Sequence, residues 1–252
     1  MKKMFMTTSL VPRMAALLLA TLLAGAALAQ GLPRATALAA PDADDGKTFR
    51  AIAMHDVRHN VRESFVDEPE PTALDERTVA DFFAWLRSSG HHPVSLQQIV
   101  DARAGGRPLP SKAVLLTFDD GYESFYSKVY PLLKQFRYPA VMALVTGWLE
   151  VPPGQVVEGY GARNPLKREA FITWSQAREM GASGLVEFAS HGDAIHTGVP
   201  GNPQGNLQPA AVTHRYDSAT GRYEDDAAWV ARVEADLRRS RGLIEAQTGT
   251  CL

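Results

Sequence analysis

The sequence predicts an α/β fold built on a parallel sheet, and three observations carry the prediction. From Phe49 onward, short apolar runs alternate with longer amphipathic stretches, the rhythm of strands joined by helices. Within Ala113–Phe118 every residue but Thr117 is apolar, as a strand buried on both faces of a parallel sheet requires. Polar clusters stand directly after predicted strands, at His55, Asp119 and His191, and α/β folds gather their chemistry at the carboxyl ends of strands.

The N-terminus lies outside that pattern. Lys2, Lys3 and Arg13 precede an apolar run at residues 14–25, which leads to Ala27-Leu28-Ala29. A positive head, a short apolar middle and a small-residue exit predict a secretory signal peptide over residues 1–29. The run is shorter than the ~20 residues of a bilayer span, so no stable membrane span is expected after cleavage. Residues 30–47, rich in Ala, Pro, Gly and Asp, read as a linker. Residues 48–252 are then about right for one domain.

Residues 49–57 read as the first strand, ending in polar residues. Residues 78–86 carry apolar side chains at helical spacing, with Asp75 as cap and Gly90 as stop. Residues 94–100 read as a strand edge passing into a helix capped by Ser95. A helix over residues 124–136 separates the strand Ala113–Phe118 from a strand at 140–145. Residues 173–180 are helical and stopped by Gly181, and residues 185–189 form another strand. Residues 197–223, rich in Gly, Pro and Asn, read as a long loop, a feature that is usually functional or disordered. Asp225 caps a last helix whose Val230, Val233, Leu237 and Ile244 share one face. No internal repeat is visible.

The net charge of −2 argues against nucleic acid as a partner, since phosphate binding needs a concentrated basic face. Cys251 is the sole cysteine, so the fold rests on packing rather than on an internal disulfide.

Asp119 and Asp120 are adjacent carboxylates at a strand end, followed by Gly121, which lets the chain turn sharply. Such neighbours repel unless a cation or a proton intervenes. With a metal ion, one carboxylate can ligate while the other moves protons. An ordinary Asp-Asp-Gly surface turn is the simpler reading of the dipeptide alone. His191 and His196 follow the strand at 185–189. Their spacing is too irregular for one helix face, but a loop can fold both imidazoles toward one point. Neutral imidazole is the commonest metal ligand, and two with a carboxylate suit zinc, iron, cobalt or nickel. Histidines and aspartates at matching strand ends together shift the reading toward a metal site. His55-Asp56 receives a supporting role, orienting a catalytic carboxylate or lining the pocket, with a structural hydrogen-bonded pair as an equal alternative. His59, His91 and His92 read as solvated.

Thr117-Phe118-Asp119-Asp120-Gly121-Tyr122 resembles the first signature motif of the polysaccharide deacetylases (carbohydrate esterase family four, the NodB-homology domain). Ser190-His191 followed by His196 is similar to the second, with Gly192 in place of the usual Ser or Thr, a departure that costs a hydrogen bond ordering the loop. The longer run through Glu123-Ser124-Phe125-Tyr126, with Met54-His55-Asp56-Val57-Arg58, resembles the periplasmic poly-β-1,6-N-acetyl-D-glucosamine N-deacetylases of biofilm exopolysaccharide systems. The resemblance implies a distorted (β/α) barrel with fewer than eight strands. It implies one divalent ion held by Asp120, His191 and His196, with Asp119 as general base. The ion would acidify a water, Asp119 would take its proton, and the acetamide carbonyl would be attacked. Acetate would leave, and a free glucosamine amine would remain on the polymer. The implied setting is the periplasm, with the polysaccharide as substrate and exopolysaccharide export machinery as a partner.

The family's downstream motifs, an aromatic-Pro strand and a late histidine acting as general acid, have no counterpart before Leu252. The domain is therefore expected to lack its last strands, and the chain as written to fold poorly and show little or no deacetylase activity. Two other readings stand beside the leading one: a deacetylase of peptidoglycan, chitin or xylan, and an inactive fragment that only binds polysaccharide.

Overall fold

Five parallel strands form the central sheet: β1 (Arg50–Met54), β2 (His92–Pro93), β3 (Ala113–Phe118), β4 (Ala140–Leu144) and β5 (Val186–Ser190). The computed structural model describes residues 46–64, 72–158 and 166–249. The expected signal peptide and nearly all of the expected linker fall outside the described residues. The strand order is β1-β3-β4-β5, with β2 beside the start of β3. The register pairs Met54 with Phe118, Phe118 with Met142 and Leu144 with Ser190, so the carboxyl ends of these strands meet at one edge. Among the described residues β1 and β5 each pair on one side only, so the expected barrel is represented by an open sheet.

The apolar run of β3 is buried on both faces, as its composition requires. Val114, Leu116 and Phe118 enter the main core with Phe125, Leu133, Met142, Phe188 and Met180. Ala113 and Leu115 enter a smaller core with Val94, Ile99 and Val141. The connecting helices are α1 (Glu76–Ser88), α2 (Leu96–Arg103), α3 (Tyr130–Phe136), α4 (Trp174–Ala182) and α5 (Asp226–Thr248). Ser95 caps α2 in a reciprocal box with Gln98, and Asp225 caps α5 by accepting from the Ala228 N–H at 2.8 Å, both as the sequence predicts.

Several boundaries differ from the sequence reading, each for a local reason. The first strand stops at Met54. Val57–Arg58 instead pairs with Leu74–Asp75 in a separate ladder, and the break leaves His55 at the sheet edge. Asp75 starts α1 without capping it, because its carboxylate accepts from the Val61 N–H at 2.8 Å. The expected helix over 124–136 begins as a wider π-type turn at Phe125–Val129 before α3. Gly181 lies inside α4 rather than ending it, its Cβ position in ordinary contact distance, 3.4 Å, of the Phe188 ring. The predicted loop at 197–223 contains two small antiparallel ladders, Gly198–Pro200 with Leu207–Pro209 and Tyr216–Asp217 with Arg222–Tyr223.

The largest revision concerns α5. Ile244 is fully buried, but Val230 and Leu237 are exposed. The face turned inward carries Arg232, Asp236 and Ser240, polar residues at helical spacing. Periodicity reports that a helix has an apolar side; it does not report which side the rest of the molecule covers.

Candidate metal centre

The carboxyl end of β3 is anchored by the Asp119 N–H, which donates to the Met54 carbonyl at 2.9 Å. The chain then reverses through two successive left-handed residues, Asp120 (φ 75°) and Gly121 (φ 84°). A glycine is needed at the second position, where a Cβ would lie 3.0 Å from Leu144 Cδ2. A left-handed aspartate is uncommon and carries strain, which concentrates at functional sites.

The β5 exit supplies the other side. The His191 N–H donates to the Leu144 carbonyl at 2.8 Å, tying the loop to the end of β4. Asp120 Oδ1 then stands 3.5 Å from His191 Nε2 and 3.4 Å from His196 Nε2. Ligand atoms about 2.1 Å from one ion at a tetrahedral angle lie roughly 3.4 Å apart. Asp120 is buried, and its Oδ1 has no hydrogen-bond partner. A buried carboxylate oxygen without a donor is costly, and a cation shared with the two imidazoles would satisfy it. Asp120, His191 and His196 therefore fit a divalent ion by donor chemistry, by spacing and by the unsatisfied oxygen.

Burial dominates the electrostatics of the cluster. It raises the Asp120 carboxyl above the usual aspartate range, against the opposing pull of His196, His191 and His55. Burial also lowers His196, which Asp120 only partly offsets. Both groups are thus held toward their neutral forms, and a bound cation would reverse the balance for Asp120.

Asp119 stays outside the ligand group, with 23% of its side chain exposed and Oδ2 3.9 Å from His55 Nε2. The pair His55-Asp56 is therefore split in role. His55 faces the free carboxylate, whereas Asp56 is a structural residue, accepting from Ser124 Oγ at 2.7 Å and Arg58 Nε at 2.7 Å. His59 is solvated beside Glu76 and His92 is exposed, with a bond to the Ser111 carbonyl, but His91 is half-buried with its ring tilted against Trp85 at 4.9 Å.

Sequence reasoning missed an aromatic wall. Trp148 meets the His196 ring edge-on at 4.7 Å and Phe171 at 4.9 Å, and Phe171 stacks on Tyr122 at 5.4 Å. Trp148 follows the end of β4, so the strand-end rule pointed to it. Sequence reasoning also missed the residues that fasten the histidine loop, which come from α5 and carry no local signal.

Comparison with known proteins agrees with this geometry. The family model for polysaccharide deacetylase matches residues 106–251. Poly-β-1,6-N-acetyl-D-glucosamine N-deacetylase of Escherichia coli K12 is 43% identical over 188 residues, covering 75% of this chain and 27% of the relative. The protein of that name from Staphylococcus aureus N315 is 26% identical over 112 residues, 44% of this chain and 34% of the relative. The chain thus spans about a quarter to a third of the length of these relatives. The deacetylase domain of BpsB from Bordetella bronchiseptica superposes with a TM-score of 0.72 at 51% identity, over 83% of this chain and 79% of that one. A de-N-acetylase from Aggregatibacter actinomycetemcomitans gives a TM-score of 0.73 at 40% identity, over 80% and 76%. With the Asp-Asp motif and both histidines inside the matched segment, the chain belongs to the polysaccharide deacetylase family.

Proposed function

We propose that this chain carries the catalytic site of a metal-dependent N-deacetylase acting on an exported polymer of β-1,6-linked N-acetylglucosamine. The observation that carries the reading is the Asp120–His191–His196 cluster beside a free, part-exposed Asp119. The name of the relative at 43% identity supports the reaction and the polymer, and that of the domain at 51% identity supports deacetylation. When bound, a divalent ion (zinc, iron, cobalt or nickel) supplies Lewis acidity toward a water and an acetamide carbonyl. Asp119, at the end of β3, acts in this reading as the general base that takes a proton from water, with His55 Nε2 3.9 Å from its Oδ2. Trp148 lines the site beside His196, meeting the imidazole edge-on at 4.7 Å. Amide and water together yield acetate and the glucosamine amine.

The charged head, apolar run and Ala27-Leu28-Ala29 exit support passage across the inner membrane into the periplasm. No described helix is long and apolar enough to cross a membrane. A biofilm-matrix role beside exopolysaccharide export machinery belongs to the same proposal. N-terminal sequencing of the periplasmic protein should begin at Gln30.

A second reading is polysaccharide binding without turnover. It is favoured by the histidines, since among the described residues only His55, His191 and His196 have contacts with the Asp119–Asp120 pair, whereas His91 packs against Trp85 and His214 stacks on Trp229. Acetate release from β-1,6 and β-1,4 oligomers and from acetylated xylan, with and without chelator, tests both. Chelator-sensitive release from the β-1,6 oligomer supports the leading reading. Oligomer binding without release, in a chain that holds its ion, favours the second.

A further inference from the structure

His191 and His196 both sit on residues 191–196, a segment with no helix or ladder of its own. Two of the three ligand positions thus depend on whatever holds that loop. Gly192 takes φ +94°, and a Cβ there would lie 2.7 Å from Ile195 Cγ1 and 3.2 Å from Asp236 Oδ1. The Ser or Thr that the second motif usually carries has no room at this position. The loop is fastened from α5 instead. Asp236 spans two consecutive backbone donors, its Oδ1 accepting from the Asp193 N–H and its Oδ2 from the Ala194 N–H, both at 2.7 Å. One turn along the helix, Arg239 Nε donates to Asp193 Oδ2 at 2.7 Å, but its side chain is 62% exposed. Asp193 Oδ1 accepts from buried Thr146 Oγ1 at 2.8 Å. Bonds from N–H groups to an ionised carboxylate are the strong kind, and Asp236 makes two of them midway between the two histidines.

We propose that Asp236 is a positioning residue for the metal centre, and that its carboxylate fixes the separation of the two imidazoles by bridging the backbone between them. The proposal rests on the reading that Asp120, His191 and His196 hold an ion. Groups that orient metal ligands from outside change affinity by roughly 10–100-fold when removed.

The test uses Asp236→Asn, Asp236→Ala and, as control, Ile244→Val, which loosens the same helix at its buried end without touching the loop. Cobalt(II) affinity, the cobalt absorption spectrum and the ion-free melting temperature are measured for each, beside His191→Ala. Asp236→Asn keeps shape but turns an amide NH₂ toward a backbone N–H, so it should fold, bind cobalt roughly 10–100-fold more weakly, and show an altered spectrum. Ile244→Val should lower the melting temperature and leave affinity and spectrum as in the parent. If Asp236→Ala does not fold, Asp236→Asn still decides. Parent affinity and spectrum in Asp236→Asn overturn the proposal, and so does an equal loss in Ile244→Val. Undiminished binding in His191→Ala overturns the metal reading beneath it, a result distinct from either.

Discussion

At the scale of single residues, the two aspartates of one dipeptide have opposite surroundings, and the proposed division of their roles rests on that difference. Asp120 is buried against two imidazoles, whereas Asp119 remains part-exposed beside His55. Asp119→Asn should therefore keep ion binding within about 2-fold and lower kcat by roughly 10²–10⁴-fold, the usual contribution of a general base. Asp120→Asn should lose the ion itself, and elemental analysis of the two proteins separates the cases. The pH dependence of binding follows from the burial of Asp120. Its raised carboxyl keeps a proton at pH values where an ordinary aspartate has lost it, and an ion must displace that proton. Affinity should rise with pH through the mildly acidic range, with proton release detectable by calorimetry in buffers of different ionisation enthalpy. A pH-independent affinity would contradict the buried position of Asp120.

At the scale of elements, the site depends on turns at strand ends. Gly121→Ala forces a side chain into a left-handed position 3.0 Å from Leu144 Cδ2, and should cost roughly 1–2 kcal/mol from backbone strain alone, read by chemical denaturation. The segment before α5 is held by a second device. Arg232 donates through Nε and Nη2 to both oxygens of Glu224, and also to the carbonyls of Ala210 and Thr213. These donated bonds hold the Glu224 carboxyl at about 2, against an ordinary 4.5. A depressed folded pKa contributes stability that is fully present above the ordinary value and is lost as pH falls toward the folded one. Amides of the Tyr216–Asp217 and Arg222–Tyr223 ladder should thus lose exchange protection between about pH 4.5 and 2. Glu224→Gln should remove that dependence.

The same scale shows what could be read in advance. Strand β3, the caps Ser95 and Asp225, and the members of the Asp120–His191–His196 cluster were legible, because each is written in a few adjacent residues. The α5 orientation was not: Val230 and Leu237 form an apolar row, yet Asp236 and Ser240 are the residues that meet the β5 end. Their partners lie more than forty positions away, and no local pattern encodes such a pairing. Trp148 was half-legible, since it follows a strand end but belongs to no motif.

At the scale of the whole molecule, the ion and the fold should be coupled. Three candidate ligands from two separate strand ends meet only in the folded chain, so an ion that binds the native state raises the melting temperature by mass action. About 2.7 kcal/mol is expected at a free ion concentration one hundred times Kd, and chelation should return the melt to its ion-free value. Core and surface should also separate on α5. Ile244→Ala, at a fully buried position, should cost roughly 2–5 kcal/mol, whereas Leu237→Lys, 43% exposed, should change stability by less than about 0.5 kcal/mol.

The most direct test of the central claim is the amount of zinc or cobalt retained per chain after equilibrium dialysis, for the parent protein and for Asp120→Asn, His191→Ala and His196→Ala. The cluster predicts about one ion per parent chain and its loss in each variant, with circular dichroism showing all four folded. Folded variants that keep the parent's ion would contradict it.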